Sequence, residues 1–216
     1  MNIKHDVREA FADNRYIILI SALIFLITLF AGYFFHSLLS SYLSPAVQQL
    51  SEGVKNGSIQ ITFQTIFLNN LLIILRLFVF GIIFCFSCVV LAYNGLFLGY
   101  FIANAGNLVP TILLIVPHGI FELPSIVIAN ASGLILLKYL IRVFTLKNCQ
   151  SEKEEFVVND SIINKLCNSL INNSKYLKHS LILLAISIVL MAIAGVIEVY
   201  VTRNLAFFLI NFFGLK

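Results

Sequence analysis

The chain has 216 residues, of which 60% are hydrophobic and 11% charged, and its mean hydropathy is +0.97. This composition excludes a soluble globular protein and predicts a single polytopic membrane domain over residues 1–216, surrounded by the lipid bilayer. The net charge of +4 does not indicate a nucleic-acid partner, because most basic residues are concentrated in two segments that flank predicted spans. The four cysteines offer neither a disulfide framework nor a metal-binding pattern, and we expect no cofactor.

The N-terminal part of the chain predicts a surface helix followed by a membrane span. In residues 1–15, Ile3, Val7 and Phe11 recur every four residues between basic side chains, which is typical of an amphipathic helix on a membrane surface. The apolar run from Tyr16 to Leu39 is longer than the roughly 7–15 residues of a signal-peptide core. It therefore predicts a retained first transmembrane helix.

A loop and a second span are predicted next. In the loop, residues 40–63, the pair Ser44-Pro45 is typical of a helix start and predicts a short amphipathic helix. The following apolar run extends from about Gln64 to Tyr93 and is predicted to end at the turn-forming pair Asn94-Gly95. Three polar residues fall inside this second span: Asn69, Asn70 and Arg76.

The third apolar segment, Leu96 to Val116, is predicted to be either a broken spanning helix or two half-helices. It is interrupted by Asn104-Ala105-Gly106-Asn107 and then by Pro110. Broken backbone at membrane depth is tolerated where it is buried in protein or lines a cavity. The fourth span is predicted to begin at Pro117-His118-Gly119 and to end near Leu137.

The rest of the chain predicts a polar loop, one more span and a tail. Residues 138–179 carry seven Lys and Arg and include a capping box at Ser151, which predicts a surface helix in a basic cytoplasmic loop. The fifth span, Ser180 to Val201, contains Glu198 and is expected to end at Thr202-Arg203-Asn204. Residues 205–216 form an apolar tail too short to span. The predicted fold is an all-α membrane bundle of about five transmembrane helices, one of them broken, with short amphipathic surface helices.

The positions of the basic residues predict the orientation in the membrane. Ten of the fourteen Lys and Arg lie before the first span or in residues 138–179. An excess of Lys and Arg marks the cytoplasmic side, so the N-terminus and this loop are expected inside. Five crossings then place the 205–216 tail outside.

This topology brings ionisable residues from three spans to one depth in the outer leaflet. Ionisable groups inside a membrane are costly and indicate a functional site, although a buried His–Glu pair can also merely hold helices together. Arg76 is expected to compensate the carboxylates. The predicted binding or structural polar cluster consists of His118, Glu122, Glu198, Arg76, Asn69 and Asn70. If a metal ion binds, the candidate ligands are His118, Glu122 and Glu198.

The same region carries a resemblance to a known family. Its core is Pro117-His118-Gly119-x-x-Glu122-Leu123-Pro124, followed by Gly133. With Asn69-Asn70, Asn94-Gly95, Gly99 and Ile197-Glu198 in the same order, the chain resembles the stage II sporulation protein M family of multi-pass membrane proteins. The positions expected at helix breaks or close helix packing are Asn94, Gly95, Gly99, Pro117, Gly119, Pro124 and Gly133.

The resemblance implies a helical domain of about five spans in the cell membrane of a prokaryote. In sporulating bacteria the named member belongs to a complex that remodels septal cell wall, while separate partners carry out the hydrolysis. The wider family also occurs in organisms that do not sporulate. His118, Glu122 and Glu198 are family-like positions under this resemblance.

Three functions fit the sequence. The first is a non-enzymatic scaffold that recruits membrane or cytoplasmic proteins, or further copies of the chain. The second is a transporter or channel for a small solute, a proton or a metal ion, with the polar cluster as its binding site. The third, an intramembrane hydrolase, has no H-E-x-x-H, no G-x-S-x-G and no nucleophile near His118 in the sequence. An open cavity at the cluster favours transport, and a closed, dry cluster favours the scaffold.

Overall fold

The computed structural model describes residues 3–56, 62–83, 86–145, 168–202, 204–205 and 208. All regular elements in these residues are helical, and five of them are long and apolar enough to cross a membrane. The predicted all-α membrane bundle is thus confirmed. The helices are α1 (Ile3–Asp13), α2 (Arg15–Phe34), α3 (His36–Lys55), α4 (Phe63–Phe80), α5 (Phe86–Asn104), α6 (Leu108–Phe144) and α7 (Ser174–Ile197), which continues as a π-helix (Glu198–Thr202).

The central helix of the bundle is α6. Every residue from Ser125 to Gly133 is buried, because α2, α4, α5 and α7 pack around this helix. Serine, alanine and glycine recur in this stretch, and small side chains let neighbouring membrane helices approach closely. Ser125 Oγ donates a hydrogen bond to the Ser187 carbonyl oxygen at 2.8 Å, and Ser187 Oγ donates to the Ser125 carbonyl oxygen at 3.0 Å. Ser180 Oγ donates in the same way to the Ser132 carbonyl oxygen at 2.8 Å.

Helices α2 and α5 form a second close pair. Gly95 and Gly99 are one turn apart on α5 and both are buried. A Cβ atom on Gly95 would lie 2.8 Å from the Phe25 carbonyl oxygen, and one on Gly99 would lie 2.8 Å from the Tyr33 backbone nitrogen. The two backbones are therefore in contact along this line, which only glycine permits.

The predicted N-terminal amphipathic helix is present as α1, and it is held to the beginning of α7 by ion pairs. Lys178 Nζ lies 2.8 Å from Asp6 Oδ1, while Lys175 Nζ lies 2.6 Å from Glu9 Oε1 and 2.9 Å from Asp13 Oδ2. Hydrogen bonds from these lysines lower the pKa values of all three carboxyl groups below their ordinary range. The N-terminal segment and the start of the fifth span consequently lie at one end of the bundle, named here the α1 end. The opposite end is the distal end.

The predicted boundaries of the second and third spans were wrong. The structure ends α4 at Phe80 and begins α5 at Phe86, so Asn94 and Gly95 lie inside a helix and do not break it. The real interruption begins at Gly81, within a run so uniformly apolar that composition alone does not reveal it. An interruption is present where the break was predicted, because Ala105, Gly106 and Asn107 are not helical. It connects two separate spans, α5 and α6, so the prediction of one broken spanning helix over Leu96–Val116 was wrong.

Three prolines lie inside helices where the sequence predicted helix starts or boundaries. Pro45 lies within α3, which begins at His36 instead of Ser44. Pro117 and Pro124 lie within α6, which begins at Leu108 and not at Pro117. Membrane helices tolerate interior prolines because neighbouring helices and local adjustment can satisfy the carbonyl groups that a proline leaves free.

The predicted basic loop is shorter than expected, because Lys138–Phe144 and Ser174–His179 are the ends of α6 and α7. The surface helix predicted from Ser151 falls largely on residues 146–167, which lie outside the described part of the chain. Most of the predicted tail at residues 205–216 lies outside it as well; Leu205 and Phe208 are described, and both are exposed.

Candidate functional site

A cavity of about 630 Å³ opens between the helices in the distal half of the bundle. His118 lies on the wall of this cavity, and Lys138, twenty residues later on the same helix, lies at the α1 end. Twenty helical residues correspond to about 30 Å along the helix axis, which is the thickness of a hydrocarbon core. The walls combine apolar residues of α2, α4, α5 and α6 with polar side chains. These polar side chains are Gln49, Asn69, Asn70, Asn94, His118, Glu122 and Glu198.

His118 and Glu122 form the centre of the polar wall. They are four residues apart on α6 and therefore share one face, with His118 Nε2 3.7 Å from Glu122 Oε2. Their side chains are 14% and 22% exposed, so both are largely shielded yet border the cavity. The other ring nitrogen, His118 Nδ1, lies 3.3 Å from Thr202 Oγ1.

Glu198 brings a second carboxylate to this pair from α7. It is the first residue of the π-helix, whose last residue is Thr202, so both ends of this segment contribute to the site. One ligand atom each of His118, Glu122 and Glu198 lies within 4.8 Å of the others. The structure thus brings these three sequence-predicted residues together. One nitrogen and two carboxylate oxygens at this spacing have the geometry to bind a small cation.

Three asparagines form a further part of the polar wall. Asn69 and Asn70 lie on α4 and line the cavity, as does Asn94 on α5. Asn94 Nδ2 donates a hydrogen bond to the Val90 carbonyl oxygen at 2.8 Å. The sequence had placed Asn94 at a helix break, whereas the structure places it in the wall of the site.

Arg76 is not part of this site. Its side chain is exposed, it does not line the cavity, and it forms no ion pair with any described residue. Its position along α4 explains this. Gly81 packs on Gly133, so Arg76 lies near the level of residue 128, about 15 Å from His118 and about 15 Å from Lys138. The expectation that Arg76 compensates the carboxylates was therefore wrong.

The glycines and prolines of the family-like pattern have different surroundings. Gly133 packs directly on the backbone of α4, and Gly95 and Gly99 pack on α2. Gly119 lines the cavity, and a Cβ atom there would meet only Ile115 Cγ2 at 3.6 Å. Pro117 and Pro124 continue α6 on either side of it.

Two polar residues near the cluster were missed by the sequence analysis. Thr202 was assigned to the break after the fifth span, and Gln49 to the loop after the first. The spacing of Glu198 and Thr202, four residues apart at the end of an apolar run, is the signal that could have identified Thr202. Gln49 offers no comparable signal, because its role depends on α3 packing over the distal end of the cavity.

Comparison with known proteins confirms the resemblance inferred from the sequence. The family model described as stage II sporulation protein M matches residues 21–203. An uncharacterized protein of Methanocaldococcus jannaschii is 27% identical over 206 residues, which cover 89% of this chain and 84% of that protein. A second uncharacterized protein of the same organism is 31% identical over 169 residues, covering 76% of this chain and 83% of its own. No solved structure gives a significant match.

Proposed function

The chain belongs to the stage II sporulation protein M family, and we propose that it is an integral membrane transport protein that takes a small cation or polar solute into its distal cavity. The observation that carries the proposal is the cavity itself, with His118, Glu122 and Glu198 on its wall. An open polar space bordered by ionisable side chains is typical of substrate pathways in membrane proteins. A cluster that served only to join helices would be expected to be filled.

The cavity faces the outside in this proposal. Lys138, Arg142, Lys175 and Lys178 lie at the α1 end, and an excess of Lys and Arg marks the cytoplasmic side. The solute then enters from outside, beneath α3, whose Ala46 and Gln49 line the cavity. Passage to the inner side requires α6 and its neighbours to separate, because residues 125–133 are fully packed.

Water access to the cavity is tested with single cysteines in a cysteine-free background. Ile73→Cys places a thiol on the cavity wall, whereas Leu72→Cys, the next residue of α4, places it on the outer surface of the bundle. A charged, membrane-impermeant thiol reagent should modify Ile73→Cys from the outer side and leave the matched Leu72→Cys unmodified. Equal protection of both thiols would mean a sealed cluster and would contradict the proposal.

Transport itself is tested in proteoliposomes. Uptake of mono- and divalent cations, quantified by mass spectrometry, should exceed that of protein-free liposomes and should fall in Glu198→Gln. The glutamine keeps the size of the side chain and removes only its charge. Lys138→Gln, which lies outside the cavity, is the control and should retain uptake. A Glu198→Gln variant that transports every tested cation like the wild type would refute this role for the site.

A second function, membership of a larger membrane complex, is favoured by one observation. Arg76 is exposed at mid-bundle depth, where contact of a charged side chain with lipid is costly. A neighbouring protein on this face of α4 would remove that cost. A spin label at Arg76→Cys in native membranes should then be shielded from dissolved oxygen, and free access of oxygen from the lipid would exclude such a neighbour.

A further inference from the structure

We propose that His118, Glu122 and Glu198 form a binding site for a divalent first-row transition-metal ion such as Zn²⁺, Fe²⁺ or Mn²⁺. This inference rests on the proposed function, since it names the solute class that the cavity takes up. The charge, the donor atoms and the local backbone of these three residues support it.

The charge balance of the cavity favours a divalent cation. Glu122 and Glu198 are the carboxylates on its wall, and no Lys or Arg lines it among the described residues. The backbone N–H of Glu198 bonds within its own helix, but its carboxylate has no hydrogen-bond or ion-pair partner among the described residues. Two carboxylates carry a formal charge of −2 when ionised, and burying such a pair is costly without a counter-charge. A single M²⁺ ion would neutralise it.

His118 is oriented as a metal ligand. When Nδ1 donates its proton to Thr202 Oγ1, the neutral ring presents the lone pair of Nε2 on the side of Glu122. Metal-binding histidines commonly donate their second ring nitrogen to a neighbouring acceptor, which fixes both the tautomer and the ring orientation. In this arrangement Nε2 and Glu122 Oε2 are two acceptors facing each other at 3.7 Å, with room for a cation between them.

The observed spacing is close to that of a coordination shell. Ligand atoms about 2.1 Å from a tetrahedral ion lie about 3.4 Å apart. The three ligand atoms lie within 4.8 Å of one another here, so small side-chain rotations would close the site. The cavity leaves space for water or an exchanging ligand at a fourth position.

The donor set selects the class of metal. Imidazole nitrogen suits zinc, iron and other transition metals, whereas Ca²⁺ takes six to eight oxygen ligands and Mg²⁺ retains most of its waters. One histidine with two carboxylates therefore favours a transition metal over either. The π-helix brings Glu198 and Thr202 to this site, and because π-helical segments occur frequently at functional sites, it supports a functional role for the cluster.

The test measures metal binding by the purified full-length protein in detergent micelles. Zn²⁺ is titrated by calorimetry, and Co²⁺ is followed by its visible absorption, which reports four- or five-fold coordination. The wild type should bind one ion at this site. Glu122→Gln and Glu198→Gln should each weaken binding at least tenfold, and Co²⁺ should lose its absorption bands.

A second His/carboxylate group provides the matched control. Glu9, Asp13 and His179 also lie within 4.8 Å of one another, at the α1 end. His179→Gln should leave the affinity of the distal site unchanged.

Thr202→Val should weaken binding and Thr202→Ser should restore it, as expected for a residue that positions His118. The melting temperature of each variant without metal shows that it is folded.

The outcomes separate the metal site from the transport role. Loss of binding in His179→Gln with retention in both glutamate variants would overturn the inference, and so would failure of the folded wild type to bind Zn²⁺ or Co²⁺. Transport of another cation without metal binding would overturn the inference and leave the proposed function intact. Metal binding with the expected variant pattern but without transport would support the site and refute the transport role.

Discussion

The contact between α4 and α6 predicts a large effect from adding one methyl group at Gly133. A Cβ atom there would lie 2.6 Å from the Leu77 carbonyl oxygen and 2.9 Å from that of Phe78, where ordinary contacts begin near 3.4 Å. Both contacts are with backbone atoms, which cannot rotate away as a side chain can. To lengthen the 2.6 Å contact to 3.4 Å, α4 must move away from α6 by about 0.8 Å. Overpacking of this kind typically costs about 1–3 kcal/mol. We expect Gly133→Ala to lower the free energy of unfolding by about that amount relative to its control.

The control is Gly119→Ala on the same helix. Alanine is favoured over glycine in a helix by about 1 kcal/mol, and this gain applies to both substitutions and cancels in their difference. At Gly119 the nearest atom to a new Cβ is a side-chain carbon at 3.6 Å, which is an ordinary contact. Unfolding of both variants by denaturing detergent, followed by circular dichroism, measures the difference. Equal stability would show that α4 is not held against α6 as the structure has it.

Three further predictions concern the contact between α6 and α2, the contact between α1 and α7, and the membrane topology. Asn130 Nδ2 donates a hydrogen bond to Ser21 Oγ at 2.8 Å between α6 and α2. The coupling energy in an Asn130→Ala/Ser21→Ala double-mutant cycle should therefore be about 0.6 kcal/mol and at most about 1.7 kcal/mol. Strictly additive stability effects of the two single substitutions would contradict this hydrogen bond. The pKa values of Asp6, Glu9 and Asp13 are lowered, so their ion pairs hold α1 to α7 at any pH above the unfolded pKa of about 4 and lose this effect as the pH falls through the lower folded values. The distance between spin labels at Arg8→Cys and Leu181→Cys should therefore lengthen in strong acid. An unchanged distance would show that these ion pairs do not hold α1 to α7. Cysteines at Asn56→Cys and Asn159→Cys should react with an impermeant reagent from opposite sides of the membrane, and same-side labelling would exclude the predicted topology.

The sequence predicted those features that depend on composition and on spacing within one helix. Five spans follow from hydropathy, and the shared face of His118 and Glu122 follows from their separation of four residues. The proximity of Glu198 to this pair followed from topology, because the end of the fifth span and the start of the fourth span lie on the same side of the membrane. These arguments need no knowledge of how the helices pack side by side.

Features that depend on lateral packing were not predictable in this way. Depth alone could not show that Arg76 faces away from the cavity, because the rotation of α4 is set by its contacts with α6. The predicted helix ends were wrong where packing against an adjacent helix overrides the local turn preference of the sequence. Asn94-Gly95 is typical of a turn, yet Gly95 serves the contact with Phe25 of α2 and Asn94 bonds its own helix through Val90.

Because Arg76 faces away from the cavity, it does not neutralise the two carboxylates of the site. With an arginine in the cluster, Glu122 and Glu198 would be compensated and could be purely structural. Without one among the described lining residues, two carboxylates border the same cavity and the electrostatic cost remains. The packed segment of α6, residues 125–133, carries no ionisable side chain, and the hydroxyl groups of Ser125 and Ser132 donate to backbone carbonyl oxygens. When both carboxyl groups are ionised, the distal half of the bundle therefore carries a charge cost that a cation would relieve, and its cavity supplies the space for one.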